Sequence, residues 1–176
     1  MKLSKLLFIP MLALLFTSCS SVRVSTDYDT KADFAKYKTF AFYKTGIDKA
    51  PINDLDKKRI LRAVEAELLA KGMTKSSAPD ILISLFTKSR ERINVNDNRF
   101  GGFWYPWYYG PNLVTVSQHT EGTLFIDLLD ASNKELIWQG VGTGALNMRN
   151  VEQREERIKE FVNKIMAEYP PGSQKR

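Results

Sequence analysis

The run Glu121-Gly122-Thr123-Leu124-Phe125-Ile126-Asp127-Leu128-Leu129, closed by Asp130-Ala131-Ser132-Asn133-Lys134, commits the chain to a hairpin. Leu124, Ile126 and Leu128 share one period-two face, while Glu121, Thr123, Phe125 and Asp127 share the other, the pattern of a half-buried strand. Asp, Ser and Asn in the next five residues supply turn chemistry, and Glu135 to Leu146 returns as a second strand. Gly140, Gly142 and Gly144 leave one face of that second strand bare, which suits the close approach of a bulky neighbour such as Trp138.

Upstream, Ile81-Leu82-Ile83-Ser84-Leu85-Phe86 is apolar on both period-two faces and predicts a central strand covered on both sides. Thr39-Phe40-Ala41-Phe42-Tyr43 predicts a short aromatic strand, followed by a loop from Gly46 to Pro51. A helix lies between these two strands. Asn53 or Asp54 offers its cap, Leu55, Ile60, Leu61, Val64, Leu68 and Leu69 recur at three- and four-residue steps, and Gly72 ends it in the left-handed conformation. A second helix follows the hairpin, with Asn150 and Gln153 as a capping box and Ile158, Phe161, Val162, Ile165, Met166 and Tyr169 as its apolar stripe. Glu155 with Lys159 and Glu160 with Lys164 add i,i+4 pairs, and Pro170-Pro171 stops it. The elements predict an α+β two-layer domain, with a mostly antiparallel sheet, two amphipathic helices and a Gly/aromatic-rich loop.

The N-terminus speaks to location. Lys2 and Lys5 precede an apolar run from Leu6 to Phe16, and Phe16-Thr17-Ser18-Cys19 closes it, resembling the lipobox of bacterial lipoproteins. Eleven residues from Leu6 to Phe16 fall short of the roughly 20 that span a bilayer. The expected organisation is a signal peptide over 1–18, a lipidated tether and start of the first strand over 19–25, a single α+β domain over 26–171 and a tail over 172–176. In such signals the cysteine is acylated and becomes the first residue of the mature chain, so Cys19 is the expected lipidation site. The expected location is the cell envelope, anchored in the outer membrane and facing the periplasm. Removing 18 of the 176 residues leaves 158, and with Lys2 and Lys5 gone 24 basic side chains face 20 acidic ones, +4 instead of +6. A balance that small, without a block of like charges, argues against a nucleic-acid surface.

Little in the chain points to catalysis. Gly140-Val141-Gly142-Thr143-Gly144 lacks dinucleotide spacing, a following Lys-Ser/Thr and a helix directly after it, so it is read as a strand face and not as a phosphate cradle. His119 is the only histidine and Cys19 the only cysteine, which excludes Cys/His nucleophilic catalysis and the usual zinc sets. Ser117, His119 and Glu121 share one face through strand alternation alone. Asp127 with Asp130 could be imagined as acid and base, but Asp130 is expected to start the turn and Asp127 to face water or a lysine. No cofactor or metal is expected.

Phe100-Gly101-Gly102-Phe103-Trp104-Tyr105-Pro106-Trp107-Tyr108-Tyr109-Gly110-Pro111 stands apart, with seven of the chain's 20 aromatic residues in ten positions. Its glycines and prolines forbid a regular helix or central strand. Trp and Tyr present a flat apolar face with a polar edge, suited to stacking on sugars, wedging into head groups or anchoring a protein. Phe103, Trp104, Tyr105, Trp107, Tyr108 and Tyr109 are therefore the candidate binding residues. The competing expectation is that the segment folds back as a lid over the sheet.

Asp27-Tyr28-Asp29, Asp33-Phe34, Tyr37-Lys38-Thr39-Phe40, Ala63-Val64-Glu65-Ala66-Glu67-Leu68 with Lys71-Gly72, Ala78-Pro79-Asp80-Ile81-Leu82, the Glu121 to Asp130 strand and Leu136-Ile137-Trp138-Gln139-Gly140 resemble a family of bacterial envelope lipoproteins, the domain of unknown function number 4136. The resemblance runs from about Val24 to Pro171, and Gln139 stands where that family often has arginine. It implies fold and location, and no catalytic residue, cofactor or substrate. The function expected is a non-enzymatic, membrane-anchored binding or structural module that contacts an envelope partner or glycan through the aromatic segment. The alternatives are a hydrolase acting on envelope material through a cleft holding Asp127, Glu121 and His119, and an auxiliary subunit of an envelope transport or assembly machine that docks through a sheet edge.

Overall fold

The computed structural model describes residues 22–48, 50–97, 114–146 and 150–172, with the backbone alone at 91–97 and 114–120. Six strands are present: β1 (Val22–Tyr28), β2 (Thr39–Phe42), β3 (Thr74–Lys75), β4 (Ile81–Asp97), β5 (Val114–Asp130) and β6 (Leu136–Ala145). They form one sheet in the order β1-β6-β5-β4-β2-β3. Among the described residues only β2 pairs in parallel, with β3 and β4. The helices are α1 (Lys44–Asp48), α2 (Asp54–Ala70) and α3 (Val151–Ala167), and the class is the expected α+β.

The hairpin forms as its sequence predicts. Leu124, Ile126 and Leu128 are buried, and the turn closes through Lys134 N–H to Asp130 C=O at 2.8 Å, with Lys134 itself at φ 62°. Gly140 and Gly142 explain the bare face. A Cβ at Gly140 would strike Ile165 and the Trp138 ring, and one at Gly142 would sit 2.8 Å from Ile165 Cδ1. The glycines thus admit both Trp138 and the buried stripe of α3, which is Phe161, Val162, Ile165 and Met166. Each such fully buried side chain contributes about 1.5–3 kcal/mol of transfer free energy.

Both long helices are capped as read. Asn53 Oδ1 accepts from Asp56 N–H at 2.9 Å, and Asn150 Oδ1 from Gln153 N–H at 2.8 Å. The stripe of α2 is narrower than expected. Ile60, Val64 and Leu68 are buried, whereas Leu55 and Leu69 are 61 % and 49 % exposed. At 3.6 residues per turn they lie roughly 180° and 140° from the centre of the buried three, so their apolar character does not bring them inside.

The strand at 81–86 departs from expectation. Ile81, Ile83 and Leu85 are buried under the helices, but on the other face Leu82 and Ser84 are half-buried and Phe86 is 41 % exposed. Among the described residues that second face is covered near Ser84, where α1 packs so closely that a Cβ on Gly46 would strike the Ser84 hydroxyl. The strand is also longer than its apolar run. β4 and β5 continue as a two-stranded ribbon from Glu91↔Thr120 to Asp97↔Val114, past the last pairing of β6, Glu121↔Ala145.

Candidate functional site: the aromatic sheet face and the pocket behind it

β5 presents Glu121, Thr123, Phe125 and Asp127 on the face away from α2 and α3. Register sets Phe86 of β4 opposite Phe125, and Lys88 opposite Thr123. The two rings meet at 5.7 Å with a 56° tilt, and Lys88 Nζ lies 5.6 Å from the Phe86 ring centre and 5.5 Å from that of Phe125. A cation so placed at an exposed site adds about 0.5–1 kcal/mol. Thr123 and Thr143 join hydroxyls at 3.2 Å across β5 and β6, and Arg23 of β1 reaches over to Glu121. The face is thus an aromatic pair rimmed by cations and hydroxyls.

The ionisable residues weighed from sequence do not converge. Asp127 and Glu121 are six residues apart on one strand, roughly 20 Å at strand rise. Asp127 accepts from Gln139 Nε2 at 2.7 Å, and burial pushes its carboxyl above the ordinary value against the opposing pull of that hydrogen bond. Glu121 is engaged by Arg23. His119 lies in β5 opposite Arg92, and its side chain is outside the described residues. Asp130 belongs to the turn. It is held at about 2 by hydrogen bonds from the Ser132 hydroxyl and N–H, then from Tyr37 and Lys36. Asp127 and Asp130 therefore form no dyad, and among the described residues no three His, Cys, Asp or Glu side chains gather into a metal site.

On the opposite side of the same strands lies a pocket of about 200 Å³, walled by Ile52, Ile60, Leu124, Leu146, Ile158 and Phe161. Two of its charged members, Asp56 and Arg157, are engaged by neighbours. Burial opposes the charge of Asp56, but hydrogen bonds from Asn53, Arg59 and Arg154 prevail and lower its carboxyl. Arg157 donates to Ala145 C=O at 3.0 Å and pairs with Glu160. The pocket suits a small apolar group, with the hydroxyls of Thr87 and Ser89 in its lining.

Phe103, Trp104, Tyr105, Trp107, Tyr108, Tyr109 and Cys19 all lie outside the described residues. The residues that bracket the aromatic segment are described: Asp97 pairs with Val114 at the far end of the ribbon. No helix among the described residues is long and apolar enough to cross a membrane. The Phe86, Phe125 and Lys88 cluster was not read from the sequence. Phe125 sits on the outward face as its alternation indicates, but its meeting with Phe86 depends on cross-strand register, which a single sequence does not display.

Residues 24–171 match the model of the family described as domain of unknown function, DUF4136, and the chain belongs to that family. No curated protein matches it. Among solved structures it is similar to a PDZ domain protein from Parabacteroides distasonis, at 16 % identity and a TM-score of 0.54. That match covers 92 % of this chain and 39 % of the other, so the chain spans well under half of that protein. It is also similar to PelC from Paraburkholderia phytofirmans, solved as a dodecamer, at 13 % identity and a TM-score of 0.48, covering 83 % of this chain and 96 % of the other.

Proposed function

We propose that this DUF4136 chain is a lipid-anchored binding module of the bacterial envelope, held by Cys19 at the periplasmic face of the outer membrane, and that its aromatic segment contacts an envelope partner or glycan without catalysis. One observation carries the reading: the β4–β5 ribbon continues beyond the rest of the sheet for the pairs Glu91↔Thr120 to Asp97↔Val114, roughly 20 Å at strand rise. A ribbon of that length carries Asp97 and Val114, the described residues on either side of the aromatic segment, beyond the last pairing of β6. Stable anchoring takes more than one acyl chain, which the lipobox provides for. The separation of Asp127 from Glu121 along β5 weighs against the hydrolase alternative.

Two experiments test the proposal. Replacing Trp104, Trp107 and Tyr108 together with alanine abolishes capture of envelope material by the full-length protein while leaving its unfolding midpoint unchanged; capture that survives removes the segment from recognition. Growth with a clickable fatty acid labels the wild-type chain and leaves Cys19→Ser unlabelled. Label retained by Cys19→Ser contradicts the anchor.

A further inference from the structure

The two edges of the sheet are built differently. β3, at one edge, is only Thr74–Lys75, short and carrying a lysine, two of the ways in which proteins blunt an edge. β1, at the other, runs seven residues without proline, glycine or bulge, in unbroken register with β6 from Val22↔Gly144 to Tyr28↔Trp138. Asp29 N–H donates to Ile137 C=O at 3.0 Å, in the same register. Antiparallel pairs alternate between bonded and non-bonded. Asp27, Ser25 and Arg23 therefore direct their backbone groups to β6, while Val24, Thr26 and Tyr28 direct theirs outward.

We propose that β1 pairs antiparallel with β1 of a second copy of this chain, centred on Ser25. That register sets Val24 against Thr26 with their outward backbone groups bonded. It sets Arg23 against Asp27 in the non-bonded positions, where Cα atoms approach to about 4.5 Å and opposite charges reinforce each other. Within β1 the charges favour this register. A slip of two residues in one direction sets Arg23 on Ser25; in the other it sets Asp27 on Ser25 and moves Arg23 past the end of β1, onto Asp29; a slip of four sets Arg23 on Arg23 or Asp27 on Asp27. The Arg23 side chain is 71 % exposed and reaches inward over β6 to Glu121, so pairing swings the guanidinium back to the edge and exchanges Glu121 for Asp27 of the second copy. In the single chain Asp27 folds back onto the Tyr28 N–H at 2.9 Å, and pairing exchanges that contact for the guanidinium. The product is one continuous sheet with a two-fold axis through Ser25 and both helix layers on the same side.

Cross-linking tests the register. Full-length protein in detergent, with Cys19→Ser as background, receives Ser25→Cys, Arg23→Cys or Asp27→Cys and is oxidised before a non-reducing gel. Ser25→Cys is expected to form a disulfide dimer by itself. Arg23→Cys and Asp27→Cys are each expected to stay monomeric alone and to cross-link when mixed. Adding Thr26→Pro, which deletes one outward N–H, lowers the Ser25→Cys dimer at least tenfold. Arg23→Asp does the same, and Arg23→Asp with Asp27→Arg restores it, which separates loss of pairing from misfolding. A Ser25→Cys protein that stays monomeric overturns the proposal, whether the edge is empty or holds a foreign segment. Equal cross-linking at 23, 25 and 27 overturns it as well, because collision in micelles then accounts for the dimer.

Discussion

Thr87 Oγ1 is buried without a hydrogen-bond partner among the described residues, although valine would fill the same shape. An unmatched buried hydroxyl costs about 1–3 kcal/mol, so Thr87→Val is expected to stabilise the domain by about 1 kcal/mol in urea unfolding. Two aspartates give opposite pH behaviour. Asp130 is depressed to about 2 from 3.8 by its hydrogen bonds from Ser132, Tyr37 and Lys36. Its contribution, about 1–2 kcal/mol after allowance for solvent screening, is present above the unfolded value and lost as pH falls towards 2. Asp130→Asn loses that stability at neutral pH and flattens the decline between pH 4 and 2. Asp127 is raised, chiefly by burial, so its ionised form is disfavoured in the fold and stability falls as pH rises past its unfolded value. Asp127→Asn, whose amide still accepts from Gln139, is expected to raise the neutral-pH unfolding midpoint.

At the level of elements, packing of α3 on β6 rests on two missing side chains. Gly142→Val puts a branched side chain where a single Cβ already sits 2.8 Å from Ile165, and overpacking of this kind costs about 1–3 kcal/mol, measurable by denaturant titration. Asn150→Ala removes the cap of the same helix at a cost of about 1 kcal/mol. These features were legible in the sequence because they are local: a cap is one residue and its neighbours, and a strand face is a period of two. The length of β4 was not. Past Phe86 the chain reads Lys88-Ser89-Arg90-Glu91-Arg92, and charge hides the alternation that apolar residues would have displayed. α1 was hidden in the same way, since Lys44-Thr45-Gly46-Ile47-Asp48 carries a turn-like composition and becomes helical where Gly46 fits against Ser84.

For the whole molecule, fold class and the hairpin followed from pattern, whereas strand order and the pairing of Phe86 with Phe125 depended on contacts between distant residues. β1 closes the sheet beside β6, 110 residues away in sequence at Tyr28↔Trp138, and no local signal announces such a partner. Among the described residues the same topology leaves the Phe86 and Phe125 face without a helix layer. It also sets the start of β1 three residues from Cys19, so an acylated Cys19 keeps the sheet within about 10 Å of its lipid.

The most direct measurement is acrylamide quenching of tryptophan fluorescence. The chain has three tryptophans, and Trp138 is 0 % exposed, so quenchable emission reports on Trp104 and Trp107. A recognition segment predicts red-shifted emission that acrylamide quenches readily and that bound envelope material protects. Blue-shifted emission as resistant to quenching as a Trp104→Phe, Trp107→Phe protein, in which Trp138 alone emits, would make the segment a buried lid and contradict the account.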